Sequence, residues 1–400
     1  MEGRLYRILT IIMLLPSPKL MAQQVKDFTY YNELTYDLYQ KKEWDQLIET
    51  GLEALDQPYD FYYLRTRIGI AYYEKGIYTS TIRHLTKALT FNSSEPVILE
   101  YLYYAYIHAS RYSDAVLLYH QNKQVMKNMR LSFKPRFVDA ISVEAACKIS
   151  DHNASYGTEV DGVRYGQIGL WHRLGGHLSL YHYAGIMDHT FTDIQGNENS
   201  RIRYSYNFYQ FDYYAGFRFN PGKGIDINPV FHFIGVDANS RQYTDLFYGI
   251  GMGKRFGKVR IGIQYGHGEI NESILDQWIP EIRYYPFGNN KLYLSASTLW
   301  GSGNSRQQVY MGQAGVRIFP GTWLEGFIAA GKSQFIALFD GTILFNNPDY
   351  LLSRSGASLD HYLTDTISLS LYYIAEIKEQ IVSGDRYTHH VIALGLYYKF

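Results

Sequence analysis

The sequence predicts an α+β chain of two parts, a short α-solenoid followed by a transmembrane antiparallel β-barrel of about 14 strands, with 12 as the alternative count. Three observations lead there. A helical pattern with a 34-residue period runs through residues 25–130. Past Lys134-Pro135 the period becomes two and stays so to Phe400. The composition is aromatic and glycine-rich: 400 residues hold 40 Tyr and 35 Gly, with only 19% charged. At 46% hydrophobic the chain can bury a core, yet it has no apolar run long enough for a spanning helix. Many short strands satisfy both facts.

Charge and cysteine narrow the partners. Lys+Arg and Asp+Glu balance at 38 each, which gives no electrostatic reason to expect nucleic acid. The single cysteine, Cys147, excludes an internal disulfide framework and a Cys-based metal cage.

Residues 1–22 read as a secretory signal peptide. Arg4 and Arg7 precede the apolar run Ile8 to Leu15, and Leu20-Met21-Ala22 offers a small residue at the cut. The chain is therefore expected to be exported.

In residues 25–130 a step of 34 carries Tyr72 onto Tyr106 and Thr81 onto Ala115, and a step back carries Ala88 onto Ala54. Small residues at this period let paired helices approach, and large ones fill the gap between them. Gly69, Tyr72, Gly76 and Ala88 of the central unit, with Ala54, Tyr106, Ala115 and Tyr119 of its neighbours, resemble a tetratricopeptide repeat. Thr81 departs from that pattern where Ala is usual, and Ser93 where Pro is usual. The periodic residues are expected to form the inter-helix core, and the resemblance implies a concave surface for a periplasmic protein or peptide.

Residues 131–400 read as the barrel. Phe211 to Phe219, Ile225 to Phe233, Val259 to Tyr265 and Ile367 to Tyr373 each alternate apolar with small or polar residues. Short turns fall at 174–176, 220–222, 256–258, 287–289, 319–321 and 363–365. Longer polar connections fall between them, such as Asp193 to Ser200, Glu269 to Gln277 and Phe339 to Ser353. Short turns on one rim and longer loops on the other is the plan of an outer-membrane barrel. A soluble sandwich would alternate too, but its polar face would be rich in Lys and Glu rather than Gly, Ser and Gln.

The end of the chain adds a sharper signal. Gly395, Tyr398 and the terminal Phe400 resemble the strand read by the barrel-assembly machinery, with Ala393 departing where a polar residue is usual. In size and order the chain resembles the YaiO-like family of bacterial outer-membrane proteins, with periplasmic tetratricopeptide repeats ahead of a barrel. That resemblance implies a porin-like or glycan-export-associated component, or a scaffold.

Turning the small-polar face inward sends Asp212, Arg218, Asp226, His232, Arg260, Glu281, Arg283, Arg317, Glu325 and Glu376 into the lumen. Both signs occur, so a structural ion-pair network is the first expectation and a polar track for solute the second. A glycan would be expected to meet tyrosines such as Tyr214, Tyr293 and Tyr372. The rival class is a barrel enzyme acting on lipid A or phospholipid, for which His189, His267, His361, His389 and His390 lie near strand ends. No Gly-x-Ser-x-Gly motif accompanies them, so no catalytic residue is assigned. Neither HExxH nor a Cys/His cluster occurs, so no metal and no cofactor is expected. A pure membrane anchor is the third reading.

Overall fold

The computed structural model describes residues 26–127, 136–151, 157–197, 200–238, 241–302, 306–338, 340–346, 349–381 and 383–400. The signal-peptide segment and the expected boundary at 130/131 lie outside these residues.

Seven helices form the first part among the described residues: α1 (Phe28–Lys41), α2 (Trp44–Asp56), α3 (Tyr62–Glu74), α4 (Tyr78–Leu89), α5 (Pro96–His108), α6 (Tyr112–Gln121) and α7 (Lys123–Lys127). Asp27 caps α1 by accepting from Tyr30 N at 2.9 Å, and Lys42 ends it in the left-handed region. Pro96 opens α5 at a position where its missing N–H costs nothing. Ala54, Ala88 and Ala115 have no exposed surface, so helices touch at the small positions of the repeat. At Gly69 a Cβ would lie 2.3 Å from Leu85 Cδ2, which explains glycine in the middle of α3. Gly76, at φ +71°, turns the chain from α3 into α4. Tyr72 stacks on His84, Tyr106 lies under the Arg111 guanidinium at 4.8 Å, and Tyr119 is buried. Thr81 is fully buried where the repeat usually has Ala.

His84 carries no sequence signal, yet only 1% of it is exposed. Guanidiniums of Arg65 and Arg83 approach its two ring nitrogens at 3.2 Å each. Burial first, and then Arg83 and Arg65, push its pKa down from 6.5 to about 4. The unfolded chain then binds a proton that the folded chain refuses between those two values. Helix stability should be complete above about pH 6.5 and fall by about 3 kcal/mol on acidification to pH 4. Thermal melts followed at 222 nm should show this slope in the wild type and a flatter one in His84→Gln.

The second part contains β1 (Arg136–Ser150), β2 (Gly157–Arg173), β3 (Leu178–Asn197), β4 (Ser200–Gly222), β5 (Ile225–Ala238), β6 (Arg241–Phe256), β7 (Val259–Ile270) and β8 (Ser273–Tyr284). It continues with β9 (Leu292–Ser302), β10 (Gln307–Phe319), β11 (Thr322–Ser333), β12 (Ala337–Leu338), β13 (Ile343–Leu344), β14 (Tyr350–Tyr362), β15 (Ile367–Glu379) and β16 (Arg386–Lys399). All but β12 and β13 form one closed antiparallel barrel of 14 strands, in which β16 pairs with β1. Gly395 pairs with Glu144 on one side and Ser370 on the other, and Phe400 N donates to Asp139 O at 3.0 Å. Tyr398 faces outward, its ring 5.1 Å from that of Phe400. The terminal strand is thus the closing strand.

The outer surface is apolar. Ile261 and Ile282 are register partners with 55% and 51% exposed, and Leu394 shows 56%. Water would penalise such a surface over every strand, whereas lipid does not. A closed barrel also leaves no unpaired strand edge, the requirement for crossing a bilayer with strands.

The short turns lie on one rim, together with the start of β1 and the end of β16. On the other rim the structure differs from the sequence reading. Asp193 to Ser200 and Glu269 to Gln277 are mostly strand, since β3 runs to Asn197 and β8 begins at Ser273. Polar residues there prolong the hairpins beyond the apolar band. Phe339 to Ser353 differs more, because residues 340–346 fold inward and 350–353 already belong to strand β14 of the wall.

The helices dock on the short-turn rim. Arg255, at the end of β6, donates to Ala109 O after α5 at 3.1 Å and to Gly288 O at 2.9 Å, while its guanidinium covers Tyr285 at 4.1 Å. Gly224 N donates to Asp114 Oδ1 and Asn290 N to Ser110 Oγ. A Cβ at Gly222 would strike Leu117, and one at Gly288 would strike Thr79.

Candidate functional site: the barrel lumen

Strand register places all ten charged or histidine candidates on the inner face, where they alternate with outward aliphatic and aromatic residues. Five of them join one network. Arg260 grips Asp226 through two bonds of 3.0 and 2.5 Å and reaches Glu281 Oε2 at 3.4 Å. Glu281 Oε1 lies 3.0 Å from Arg283 Nε, without hydrogen-bond alignment. Arg283 covers the Tyr293 ring at 4.9 Å; Tyr293 OH donates to Glu325, which also accepts from Gln313 at 2.6 Å. The chain of contacts runs from β5 to β11, so opposite charges brace the wall. Arg218 and Arg317 stand exposed near the short-turn end, outside this network. Asp212 is buried and accepts from Gln210 at 2.8 Å.

Two glycines make room for the central cation. A Cβ at Gly253 would lie 2.3 Å from Arg260 Nη2, and one at Gly262 would lie 2.9 Å from Nη1. Gly253→Ala should therefore displace Arg260 and cost about 1–3 kcal/mol, read as a lower urea midpoint of the refolded barrel.

Glu376 belongs to a separate cluster. It is 1% exposed and accepts from Arg354 and, at 3.1 Å, from Lys148. Lys378 Nζ lies 3.6 Å away and His389 Nδ1 3.7 Å away. Of this cluster the sequence reading named Glu376 for the lumen and His389 only among the strand-end histidines. Lys148, Arg354, Lys378 and His389 sit on inward positions that strand alternation could have reached.

The centre of the lumen holds the segment between β11 and β14. Its short strands β12 and β13 pair as a hairpin, and Ile336, Ala337 and Leu338 have no exposed surface. Ile336, Leu338 and Phe345 pack on Ile279, Leu299, Val309 and Ala329 of the wall. Two glutamines clasp the insert as a neighbouring strand would. Gln277 donates to Ala337 O at 2.8 Å and accepts from Ala337 N at 3.1 Å. Gln307 does the same at Gln334, at 2.7 and 2.6 Å. Opposite, Tyr183 OH donates to Thr342 O, Tyr214 OH to Asp340 O and His232 Nδ1 to Gly341 O, at 3.0, 3.2 and 2.8 Å. No sequence signal singled out either glutamine.

The proposed glycan contacts thus already have partners: Tyr214 holds the insert and stacks on Tyr183, Tyr293 stacks on Trp323, and Tyr372 lies beside Gly395. Of the histidines of the enzyme reading, His189 and His389 face inward within electrostatic reach of each other, and the other three face outward. His389 faces inward and His390 outward against Tyr373 OH at 2.8 Å. His361 contacts Thr322, His267 contacts Asp276, and His189 stacks on Phe208.

No family model matches the chain, and no curated protein matches it. Among solved structures, the translocator domain of the autotransporter NalP from Neisseria meningitidis aligns with 73% of this chain and 98% of its own, at 11% identity and a TM-score of 0.36. The TodX deltaS2S3 mutant monoaromatic hydrocarbon channel aligns with 66% of this chain and 91% of its own, at 10% identity and 0.45. The helical part is similar to MamA, with 27% of this chain against 62% of that one, at 16% identity and 0.24.

Proposed function

We propose that the chain is an outer-membrane protein whose closed barrel holds a helical-repeat platform at the periplasmic rim, where the platform docks a periplasmic protein or peptide. The observation that carries this reading is the filled lumen: the insert occupies the centre and its polar groups are paired with the wall. Arg255 fixes the platform to the rim, so a partner bound to the helices would be held at a set place beneath the membrane. The turns support the periplasmic placement in this reading, since the short ones of such barrels face the periplasm. The YaiO-like plan of repeats ahead of a barrel agrees with this role.

A gated conduit, for a glycan or another polar solute, is the second reading. It is favoured by the chemistry of the clasp, which consists of neutral hydrogen bonds that can be exchanged for water. Catalysis on lipid A or phospholipid finds less support, because the rim histidines face partners other than a serine.

Two measurements test the proposal. The refolded full chain in a planar bilayer should show no conductance steps; steady ohmic steps would overturn the filled-lumen reading. In intact cells the helices should resist added protease until the outer membrane is permeabilised, and cleavage in intact cells would reverse the orientation.

A further inference from the structure

On the inner wall formed by β1, β14, β15 and β16, away from the short-turn end, one cluster of side chains holds more positive charge than carboxylate. Lys148, Lys378 and Arg354 all converge on Glu376, and the Lys378 and Arg354 side chains are 3% and 9% exposed. A second carboxylate, Asp349, lies within electrostatic reach of Lys378, but Tyr387 OH donates to it at 2.6 Å and Ile381 N at 3.4 Å. Three cations thus face two carboxylates in a site largely removed from water.

Hydrogen bonding is incomplete in the same place. His389 is 1% exposed and neither of its ring nitrogens has a hydrogen-bond partner, the 3.7 Å to Glu376 being too long. Both ring nitrogens of His189 and the Nε of Arg354 are buried in the same condition. His189 stands on the inner face at the level of Lys148, one strand across, through Val163. Each neutral imidazole offers one N–H and one acceptor nitrogen, so the two histidines and Arg354 Nε leave three buried N–H groups without partners beside the excess of positive charge. An anion with several acceptor oxygens meets both. Lys148, whose side chain is 22% exposed, is the member of the cluster open to the lumen.

We propose that this wall is a binding site for a phosphate- or sulfate-type oxyanion, held by Lys148, Lys378 and His389 with Arg354 braced behind them by Glu376. A tetrahedral oxyanion presents oxygens to donors that arrive from different strands, and charge-assisted bonds to it are the stronger kind. The site faces the lumen rather than lipid, so the free ion, not a lipid headgroup, is its ligand. Phe345 of the insert rests on Arg354 at 5.5 Å, which places the ion beside the lumen insert.

Calorimetric titration of the full chain in neutral detergent with inorganic phosphate, at ionic strength matched with chloride, tests this. Saturable binding is expected, and Lys148→Gln should weaken it about 10- to 100-fold. Lys332→Gln, at the exposed Lys332–Glu379 pair, should leave it unchanged. Heat-modifiable migration on gels reports that each variant is folded, and the wild-type titration stands even where a variant is not. Absence of saturable phosphate binding, equal affinity in folded Lys148→Gln, or binding of short-chain phosphatidic acid but not of phosphate would each overturn the assignment.

Discussion

Replacing residues 335–346 by a short glycine-serine turn should convert an electrically silent barrel into one with steady ohmic steps. The segment fills the lumen through Ile336, Leu338 and Phe345, and the wall that remains is already closed by strand pairing without it. A milder change should act in the same direction. Gln277→Leu with Gln307→Leu removes four hydrogen bonds and leaves the backbone groups of Ala337 and Gln334 without those partners. Net values of about 0.5–1.5 kcal/mol per bond put the shift in closed-to-open balance at about 30-fold or more. Brief openings should appear in the double variant at otherwise unchanged barrel stability. If the deletion refolds and stays silent, the side chains of the wall suffice to block the lumen.

Glu376→Gln should be the most destabilising single change in the barrel, by about 3–5 kcal/mol, because it strands buried Arg354 and Lys378 without their shared carboxylate. Glu379→Gln serves as the contrast. Its partners Lys332 and Arg386 are exposed, so the loss should stay below about 1 kcal/mol. Urea midpoints of the two refolded variants, compared with the wild type, decide the matter. Equal midpoints would mean that water reaches Glu376 and screens it.

The two predictions rest on features of unequal legibility. Glu376 could be assigned inward from alternation with Leu371 and Tyr373, since a strand turns every second residue to the same face. Alternation could not say that Lys148 would reach it, because strand β16 stands between β1 and β15 in the closed sheet, 228 residues apart in sequence. The clasp was less legible still. Gln277 and Gln307 are isolated polar residues on inward positions, and their meaning comes from an insert that reads, in one dimension, as another polar loop. The error at Phe339 to Ser353 has the same origin: its composition suits an exposed loop, and the structure satisfies its backbone with wall side chains instead of water.

What the sequence determined by itself is whatever depends on a local period. The 34-residue step set the paired helices, the two-residue step set the strands and their faces, and Gly-rich turns set one rim. Those patterns are repeated many times, so departures such as Thr81 do not erase them. Only the tertiary structure decided which charges pair, which glutamines hold the insert and where the helices rest on the rim. Each of these depends on one or two contacts between residues far apart in the chain. No periodicity encodes them, because closing the barrel is what brings them together.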